Sequence, residues 1–277
     1  MPVRITTLSE NTAGIPGVIA EWGLSVLVET GDTKVLLDTC SSISVPYNAR
    51  FIGLDLSTID KIVLSHGHFD HTGGLKGVLE QIGKQIEVIA HPDMWDRKYI
   101  RGEGFERYIG IPFSREELEA LGASFTLSPE PVWITNKIVT TGEIPMVEEY
   151  EEIEPALYVK NGGEMRPDPV LDDRALIVVT DEGLVVILGC AHRGAINTLR
   201  HAQQVTGVEL IHTVIGGTHL IGTSEERVLR TASAFQELGV QRVGVSHCTG
   251  LPASVLLSQQ LGESFFFNNT GTIITIP

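Results

Sequence analysis

The segment Ser65–Leu75 contains three histidines and one aspartate within six positions, directly after a run of apolar residues. Imidazole and carboxylate groups are ligands that suit divalent transition metals. In an extended backbone, side chains two residues apart point to the same side, so His66, His68 and Asp70 can converge while His71 points elsewhere. The spacing therefore predicts one loop that serves two metal ions.

Histidines also follow three later apolar segments, each of which predicts a strand that leads through a polar loop into a helix. The strands and histidines are Gly183–Leu188 with His192, Leu210–Ile215 with His219, and Arg242–Val245 with His247. The helices are predicted over Ala195–Gln204, Ser224–Leu238 and Pro252–Leu261. In open α/β sheets, ligands collect at the carboxyl ends of strands, so we expect these histidines to share one site with the first cluster. His201 and His212 lie inside predicted elements and are interpreted as structural.

The first forty residues are interpreted as antiparallel β structure. Val3–Leu8, Glu21–Glu29 and Lys34–Asp38 are rich in Val, Ile and Leu, with a hairpin turn predicted at Thr30–Thr33. The last of these strands ends at Asp38, which we expect to hydrogen-bond a metal-binding histidine from behind and fix its tautomer.

The composition limits the class of protein. A chain of 277 residues can form one large α/β domain. The net charge of −15 argues against a general nucleic-acid binder, because phosphate backbones need a basic surface. The apolar runs are strand-sized, no secretory signal is visible, and three cysteines cannot pair fully. We therefore expect a cytoplasmic protein that binds no membrane; the oligomeric state is left open.

The middle of the chain, residues 92–172, is less regular in pattern and is interpreted as an insertion that can form a lid. Met94–Phe113 mixes aromatic residues with cations that include Arg97 and Lys98, and two interpretations stay open. The stretch is either a surface helix with a loop or a lid whose cations grip a planar, anionic substrate. Glu148–Glu154 contains five glutamates and is interpreted as a solvated face.

The histidine cluster with its Gly-Gly-Leu tail resembles the signature of the metallo-β-lactamase superfamily. The resemblance implies one α/β domain (α+β by some schemes) over residues 1–277. Its architecture is the four-layer αββα sandwich, with two mixed sheets flanked by helices and a metal site along one edge. Segments around Cys190, Gly142, His219 and His247 resemble one branch of the superfamily. That branch contains metal-dependent hydrolases and an archaeal enzyme that joins a dihydropterin-methyl diphosphate to ribofuranosylaminobenzene 5′-phosphate.

The same resemblance implies roles for the ligands. His66 and His68 would bind the first metal, Asp70 and His71 would begin the second site, and His247 would complete it. Many members have an aspartate where this chain has Cys190, so the thiolate could bridge the metals or the residue could be a small buried hydrophobe. His192 is the best candidate to complete the first site. We expect one or two divalent ions, most simply Zn, with Mn, Fe or Ni as alternatives.

The resemblance also implies the catalytic residues. His219 lies where phosphodiesterase-type members have a histidine that donates a proton to the leaving oxygen, although a structural histidine beneath a turn is the alternative. Asp70 would orient the nucleophile. Thr249 and Gly250, at the start of the last predicted helix, would offer backbone N–H groups to an anion.

Three hypotheses for the function follow from these residues. The leading one is a hydrolase that uses a metal-bound hydroxide on a small anionic, phosphate-bearing substrate. The second is a transferase of the pterin-condensing kind, in which the metal stabilises a departing diphosphate. The third is a metal-binding or metabolite-sensing protein without catalysis.

Overall fold

The computed structural model describes residues 2–31 and 33–277, and the central residue Asp32 of the predicted hairpin turn lies outside them. The strands are β1 (Val3–Ser9), β2 (Ser25–Thr30), β3 (Thr33–Leu37), β4 (Lys61–Val63), β5 (Ile86–Ala90), β6 (Arg97–Gly102), β7 (Phe105–Tyr108), β8 (Ala123–Leu127), β9 (Ile138–Thr140), β10 (Leu157–Asn161), β11 (Glu164–Pro167), β12 (Ala175–Thr180), β13 (Gly183–Leu188), β14 (Ile211–Gly216), β15 (Arg242–Val245), β16 (Phe265–Phe267) and β17 (Ile273–Ile276). The helices are α1 (Ser44–Phe51), α2 (Phe69–Thr72), α3 (Leu75–Ile82), α4 (Arg115–Glu119), α5 (Ala195–Thr206), α6 (Glu225–Glu237) and α7 (Leu251–Leu261).

The first sheet has the order β17-β1-β2-β3-β4-β5-β8. It is antiparallel from β17 to β3, and β2 and β3 pair around the predicted turn with Val28 opposite Val35. From β3 to β8 the strands are parallel, because helical segments connect them. The carboxyl ends of β3, β4 and β5 therefore lie along one edge, next to the loop that begins at Ser65.

The second sheet has the order β16-β15-β14-β13-β12-β9 and repeats this mixture. β9, β12 and β13 are antiparallel, whereas β13, β14, β15 and β16 are parallel. α5, α6 and α7 connect or follow the parallel strands, close to the bounds that the sequence predicts. The three later histidines consequently emerge at the carboxyl ends of β13, β14 and β15.

The two sheets pack face to face around an aliphatic core. Alternate residues of β2 and β3 meet alternate residues of β12 and β13, and Val26, Val35, Leu176 and Val185 are fully buried there. A second cluster joins the first sheet to α1 and α3, and a third joins the other sheet to α5, α6 and α7. Burying both faces of each sheet explains the nearly continuous Val, Ile and Leu runs. The predicted αββα sandwich is confirmed.

The third sheet, with the order β11-β10-β6-β7, was not predicted from the sequence. It is antiparallel and lies within residues 92–172, where Tyr99 pairs with both Tyr108 and Tyr158. Met94–Phe113 therefore forms a β-hairpin and not a surface helix. The segment 92–172 also contributes β8 to the first sheet and β9 to the second.

The acidic segment Glu148–Glu154 is only partly solvated, which corrects the sequence interpretation. Glu151 is 3% exposed, and its carboxylate accepts hydrogen bonds from the backbone N–H groups of Ile196 and Asn197 in the first turn of α5. Burial raises the pKa of Glu151 to about 7. This glutamate ties the loop to the helix that follows His192. No helix in residues 2–31 and 33–277 is long and apolar enough to cross a membrane.

Candidate metal centre and active site

His66, His68 and His192 form a group whose ligand atoms lie within 4.8 Å of one another, and all three side chains are buried. The Nε2 atoms of His66 and His192 are 3.2 Å apart. The Nε2 atom of His68 is buried and has no hydrogen-bond partner. Neutral imidazole nitrogens that face one another without an acceptor suit a shared cation, so this donor set fits a divalent transition metal.

A second group lies beside the first and consists of Asp70, His71 and His247. The Nε2 atom of His247 is 3.3 Å from that of His71 and 3.3 Å from Asp70 Oδ2. The Sγ atom of Cys190 is 3.1 Å from His71 Nε2, and His71 and Cys190 form a further group with His66. The donors therefore form two adjacent positions, and His71 with Cys190 lies between them.

The local backbone explains how one loop divides its side chains between these positions. His68 is extended, with φ −73° and ψ 148°, and α2 begins at the next residue. An extended backbone throughout would have placed Asp70 with His66 and His68, and that part of the sequence argument is wrong. The helical turn instead directs Asp70 and His71 together towards His247.

Asp38 supports the site from behind, as the sequence predicts. Its Oδ2 atom is 2.6 Å from His71 Nδ1, and it also accepts hydrogen bonds from the backbone and hydroxyl of Ser65. The Ser65 hydroxyl is in turn 2.9 Å from His66 Nδ1. Burial alone would lower the pKa of His71, but Asp38 and Asp70 outweigh it and raise the pKa to about 9. One carboxylate thus orients ligands of both groups.

Two residues near the N-terminus orient His247, and sequence reasoning missed both. The Asn11 Oδ1 atom is 2.9 Å from His247 Nδ1, and Glu10 accepts a hydrogen bond from the His247 backbone N–H. His247 adopts a φ of +52°, which is unusual for a residue with a Cβ atom. These bonds cross more than 230 positions of sequence, so no local pattern indicates them.

Lys98 is not a substrate contact, which corrects the prediction. It is 1% exposed, and its Nζ atom donates to Asp168 at 3.0 Å and to Asp172 at 2.9 Å. Asp172 also accepts a hydrogen bond from the N–H of Gly67, between two predicted ligands. Burial would raise the pKa of Asp172, but Lys98 outweighs it and holds that pKa below its ordinary value. Lys98 therefore joins β6 to the metal-binding loop.

The other predicted anion contacts also differ from expectation. Arg97 is exposed and is absent from the cavity wall described below. The N–H groups of Thr249 and Gly250 already donate to Ser246 and His247 within a short 3₁₀ turn. The hydroxyl of Thr249 is paired with Thr218. These hydrogen bonds occupy the backbone N–H groups that the sequence predicts as anion donors.

A cavity of about 400 Å³ opens over the two ligand groups. Its wall is largely apolar and aromatic and includes Trp22, Phe69, Ile100, Phe105, Ile109, Leu157 and Ile221. Arg107 also lines it and lies over the Phe69 ring at 5.3 Å. The sequence predicts Arg97 and Lys98 of the same hairpin as the substrate-binding cations, and Arg107 is the cation that the structure places in the wall. The cavity can hold a flat ring against these side chains, with an anionic group beside the guanidinium.

His219 lies in the wall of this cavity, next to the first ligand group. Its ring centroid is 4.2 Å from that of His192, and its φ is +49°. It belongs to none of the ligand groups found in the described residues. A proton donor or acceptor here would face whatever occupies the cavity. His91 is bound to Glu143 at 3.1 Å and also stands outside those groups, whereas His201 bonds the carbonyl of Thr141.

Cys190 and Cys248 are both buried, and their Sγ atoms form a group with a nitrogen of His247. Burial raises the pKa of the Cys190 thiol, so ligation there requires a cation to displace its proton. Cys248 was not among the predicted ligands. Its place directly after His247 in the sequence was the available signal.

The fold and the two groups of donor side chains define a class of protein, a two-sheet sandwich with candidate metal-binding residues along one edge. The profile of the Metallo-beta-lactamase superfamily matches residues 23–196. The chain therefore belongs to the metallo-β-lactamase superfamily, whose fold implies binding of a divalent metal.

Two similar proteins are matched over nearly their whole length. The 7,8-dihydropterin-6-methyl-4-(β-D-ribofuranosyl)-aminobenzene-5′-phosphate synthase of Methanocaldococcus jannaschii is 33% identical, covering 98% of this chain and 96% of that protein. The crystal structure of Tm1679, a metal-dependent hydrolase of the β-lactamase superfamily, is 31% identical, covers 98% of both chains and superimposes with a TM-score of 0.86. YhfI from Bacillus subtilis shares the fold alone, with a TM-score of 0.61 at 13% identity.

Proposed function

We propose that this protein is a metal-dependent transferase that condenses a dihydropterin-methyl diphosphate with a ribofuranosylaminobenzene 5′-phosphate. The observation that carries the proposal is the aromatic cavity, with Arg107 at its wall, directly over two groups of metal-binding side chains. The near full-length similarity to a synthase of this kind supports the choice of substrates. Hydrolysis, the leading hypothesis from the sequence, is the second candidate.

In this proposal the two ligand groups have separate members. His66, His68 and His192 would hold one ion, Asp70, His71 and His247 would hold the second, and Cys190 would be a further donor. A bound divalent ion would stabilise the negative charge of the departing diphosphate. Zn suits this mixture of imidazole, carboxylate and thiolate donors, and Mn, Fe and Ni are the alternatives for the metal analysis.

The protein side chains position the reacting groups. Phe69 and Phe105 hold a flat ring, Arg107 neutralises an anionic group, and the apolar wall limits water that would compete with the amine. The methylene–oxygen bond breaks with its electron pair on the diphosphate, and the amine nitrogen bonds the methylene carbon. The amine then loses a proton, which His219 can accept from its place in the cavity wall.

The third sheet contributes Ile100, Phe105, Arg107 and Leu157 to that wall through β6, β7 and β10. We propose that residues 1–277 act as one domain in which this sheet is the lid predicted for residues 92–172. Its hairpin supplies Phe105 and Arg107, and Lys98 anchors its base to the metal-binding loop. The proposed partners are small anionic molecules, with no nucleic acid or membrane.

The test is diphosphate release by protein loaded with a defined metal. We expect diphosphate and the condensed product to form together, only when both the pterin diphosphate and the aromatic amine are present. Diphosphate release at the same rate without the amine would contradict the transferase and support hydrolysis. Full metal loading without turnover of either kind would leave a binding or sensing protein.

A second candidate, a hydrolase of a small phosphate ester, is favoured by the contact between His219 and His192. A neighbouring imidazole can donate a proton to a leaving oxygen, which typically accelerates reactions about 10²–10⁴-fold. The His219→Ala variant should therefore lose phosphodiester turnover while it keeps its metal. Phosphodiester turnover unchanged in this variant would exclude the hydrolytic mechanism.

A further inference from the structure

A second cavity, of about 500 Å³, adjoins the active site on the other side of His219. It lies between the segment Tyr150–Pro155 and the first turns of α6, and His219 lines both cavities. Ile153 in its wall packs against the cluster of Ile109, Leu157 and Val170, and two members of this cluster, Ile109 and Leu157, line the first cavity. Two substrates react when their reacting atoms are held next to each other, and His219 is the residue at which these two cavities meet.

Two guanidinium groups face this second cavity with unused hydrogen-bonding capacity. Arg230 lies over the Tyr150 ring at 4.3 Å, and Arg227 donates to the backbone carbonyl of Glu152 at 3.0 Å. The Nε atom of Arg227 is buried without a partner, as is the Tyr150 hydroxyl. Among the residues that the structure describes, neither arginine has a carboxylate partner within 4 Å. These donors suit a phosphate.

Other groups in the wall indicate that the ligand is more than inorganic phosphate. Glu152, Glu154 and Glu226 also line the cavity, together with the hydroxyls of Thr223 and Ser224. Carboxylates repel a free dianion, but they accept hydrogen bonds from the hydroxyl groups of a sugar. Guanidinium and carboxylate groups in one cavity therefore match a phosphorylated polyol.

We infer that the second cavity binds the phosphorylated sugar of one substrate, with its attached ring reaching the first cavity past His219. This inference deepens the proposed function and rests on it, because the acceptor of that reaction is an aromatic amine that carries ribose 5-phosphate. Arg227 and Arg230 bind the phosphate, and the glutamates and hydroxyls bind the ribose.

Calorimetric titration of the full chain with ribose 5-phosphate tests the inference without any turnover. We expect saturable binding of ribose 5-phosphate, and binding of ribose or inorganic phosphate at least about tenfold weaker. The Arg230→Gln variant should bind ribose 5-phosphate about 10–100-fold more weakly, since it loses a charge-assisted contact, and Arg230→Lys should recover part of the loss.

Arg242→Gln is the matched control, because Arg242 lies over the Phe266 ring at 5.0 Å outside this cavity. It should bind ribose 5-phosphate as the unmodified protein does. Equal weakening in both variants, or none in Arg230→Gln, would overturn the assignment.

The kinetic form of the test separates this inference from the proposed function. If the condensation occurs, Arg230→Gln should raise the KM for the ribosyl acceptor about tenfold or more and leave the KM for the pterin diphosphate unchanged. Condensation with no effect of the variant on either KM would refute the second cavity and retain the function. Binding of ribose 5-phosphate that depends on Arg230, without condensation, would refute the function and retain the cavity.

Discussion

Replacing Lys98 by methionine should destabilise the protein strongly, because it leaves two carboxylates in the interior without a counter-ion. Asp168 and Asp172 are 6% and 0% exposed, and both are within 3.0 Å of the Lys98 amine. Removing one partner of a buried ion pair typically costs about 3–5 kcal/mol. With an unfolding entropy of about 2.1 cal/mol/K per residue, that loss corresponds to a fall in Tm of about 5–9 °C for a chain of 277 residues.

The assay is thermal unfolding of metal-free protein, followed by circular dichroism. Lys61→Met is the matched control, because Lys61 pairs with Glu87 where both side chains are about one-third exposed. Exposed pairs contribute about 0–1 kcal/mol, so this control should change Tm little. A Lys98→Met variant that also carries Asp168→Asn and Asp172→Asn should recover part of the loss, because no unpaired charge stays buried.

The pH dependence of stability provides a second test of this prediction. In the unmodified protein the pKa of Asp172 lies below its ordinary value, so the carboxylate contributes stability above that value. Without Lys98, burial should raise the pKa of Asp172, and the penalty should then decline as the pH falls towards 5. A Tm for Lys98→Met that matches Lys61→Met, or a penalty that grows on acidification, would refute the reasoning.

Three other measurements check separate parts of the structure. Burial raises the pKa of Glu151 to about 7, so the folded state binds its proton more tightly than the unfolded state. The stability should therefore fall as the pH rises from about 4.5 to 7, and Glu151→Gln should flatten this dependence of Tm on pH. Arg107→Ala should raise the KM for an anionic substrate about tenfold with unchanged metal content, and an unchanged KM would remove it from the site. His192→Ala should weaken metal binding in chelator competition, whereas the His201→Ala control should not.

The strands, the helices and the strand-end histidines follow from the sequence because their pattern is local, whereas the four-layer sandwich is implied by the resemblance to the superfamily. The strands β4, β13, β14 and β15 are short aliphatic runs, and each is followed by a loop with a histidine and then by a helix. These cues place His192, His219 and His247 at strand ends without knowledge of the tertiary contacts. The support from Asp38 also follows, because the residue directly ends a strand that must adjoin the cluster.

The remaining features depend on contacts that are distant in sequence. The burial of Lys98 follows from two aspartates about 70 residues away, so its charge could not be distinguished from that of a surface lysine. The register of β6 with β7 places Arg107 opposite Ile100, which also lines the cavity, whereas Arg97 lies on the other face of the hairpin. The backbone N–H groups of Thr249 and Gly250 are not free donors, because a 3₁₀ turn precedes α7. No recognisable sequence motif predicts this turn.

The pairing of β17 with β1, in which Ile276 lies opposite Val3, has a consequence for biosynthesis. The first and last strands of the structure share a sheet edge, and His247 joins Asp70 and His71 from far along the chain. On the ribosome, β1 gains its β17 partner only after residue 276 has emerged, and the second group of donors is complete only after His247 has emerged. Chains terminated before β17 would expose an unpaired strand that favours aggregation.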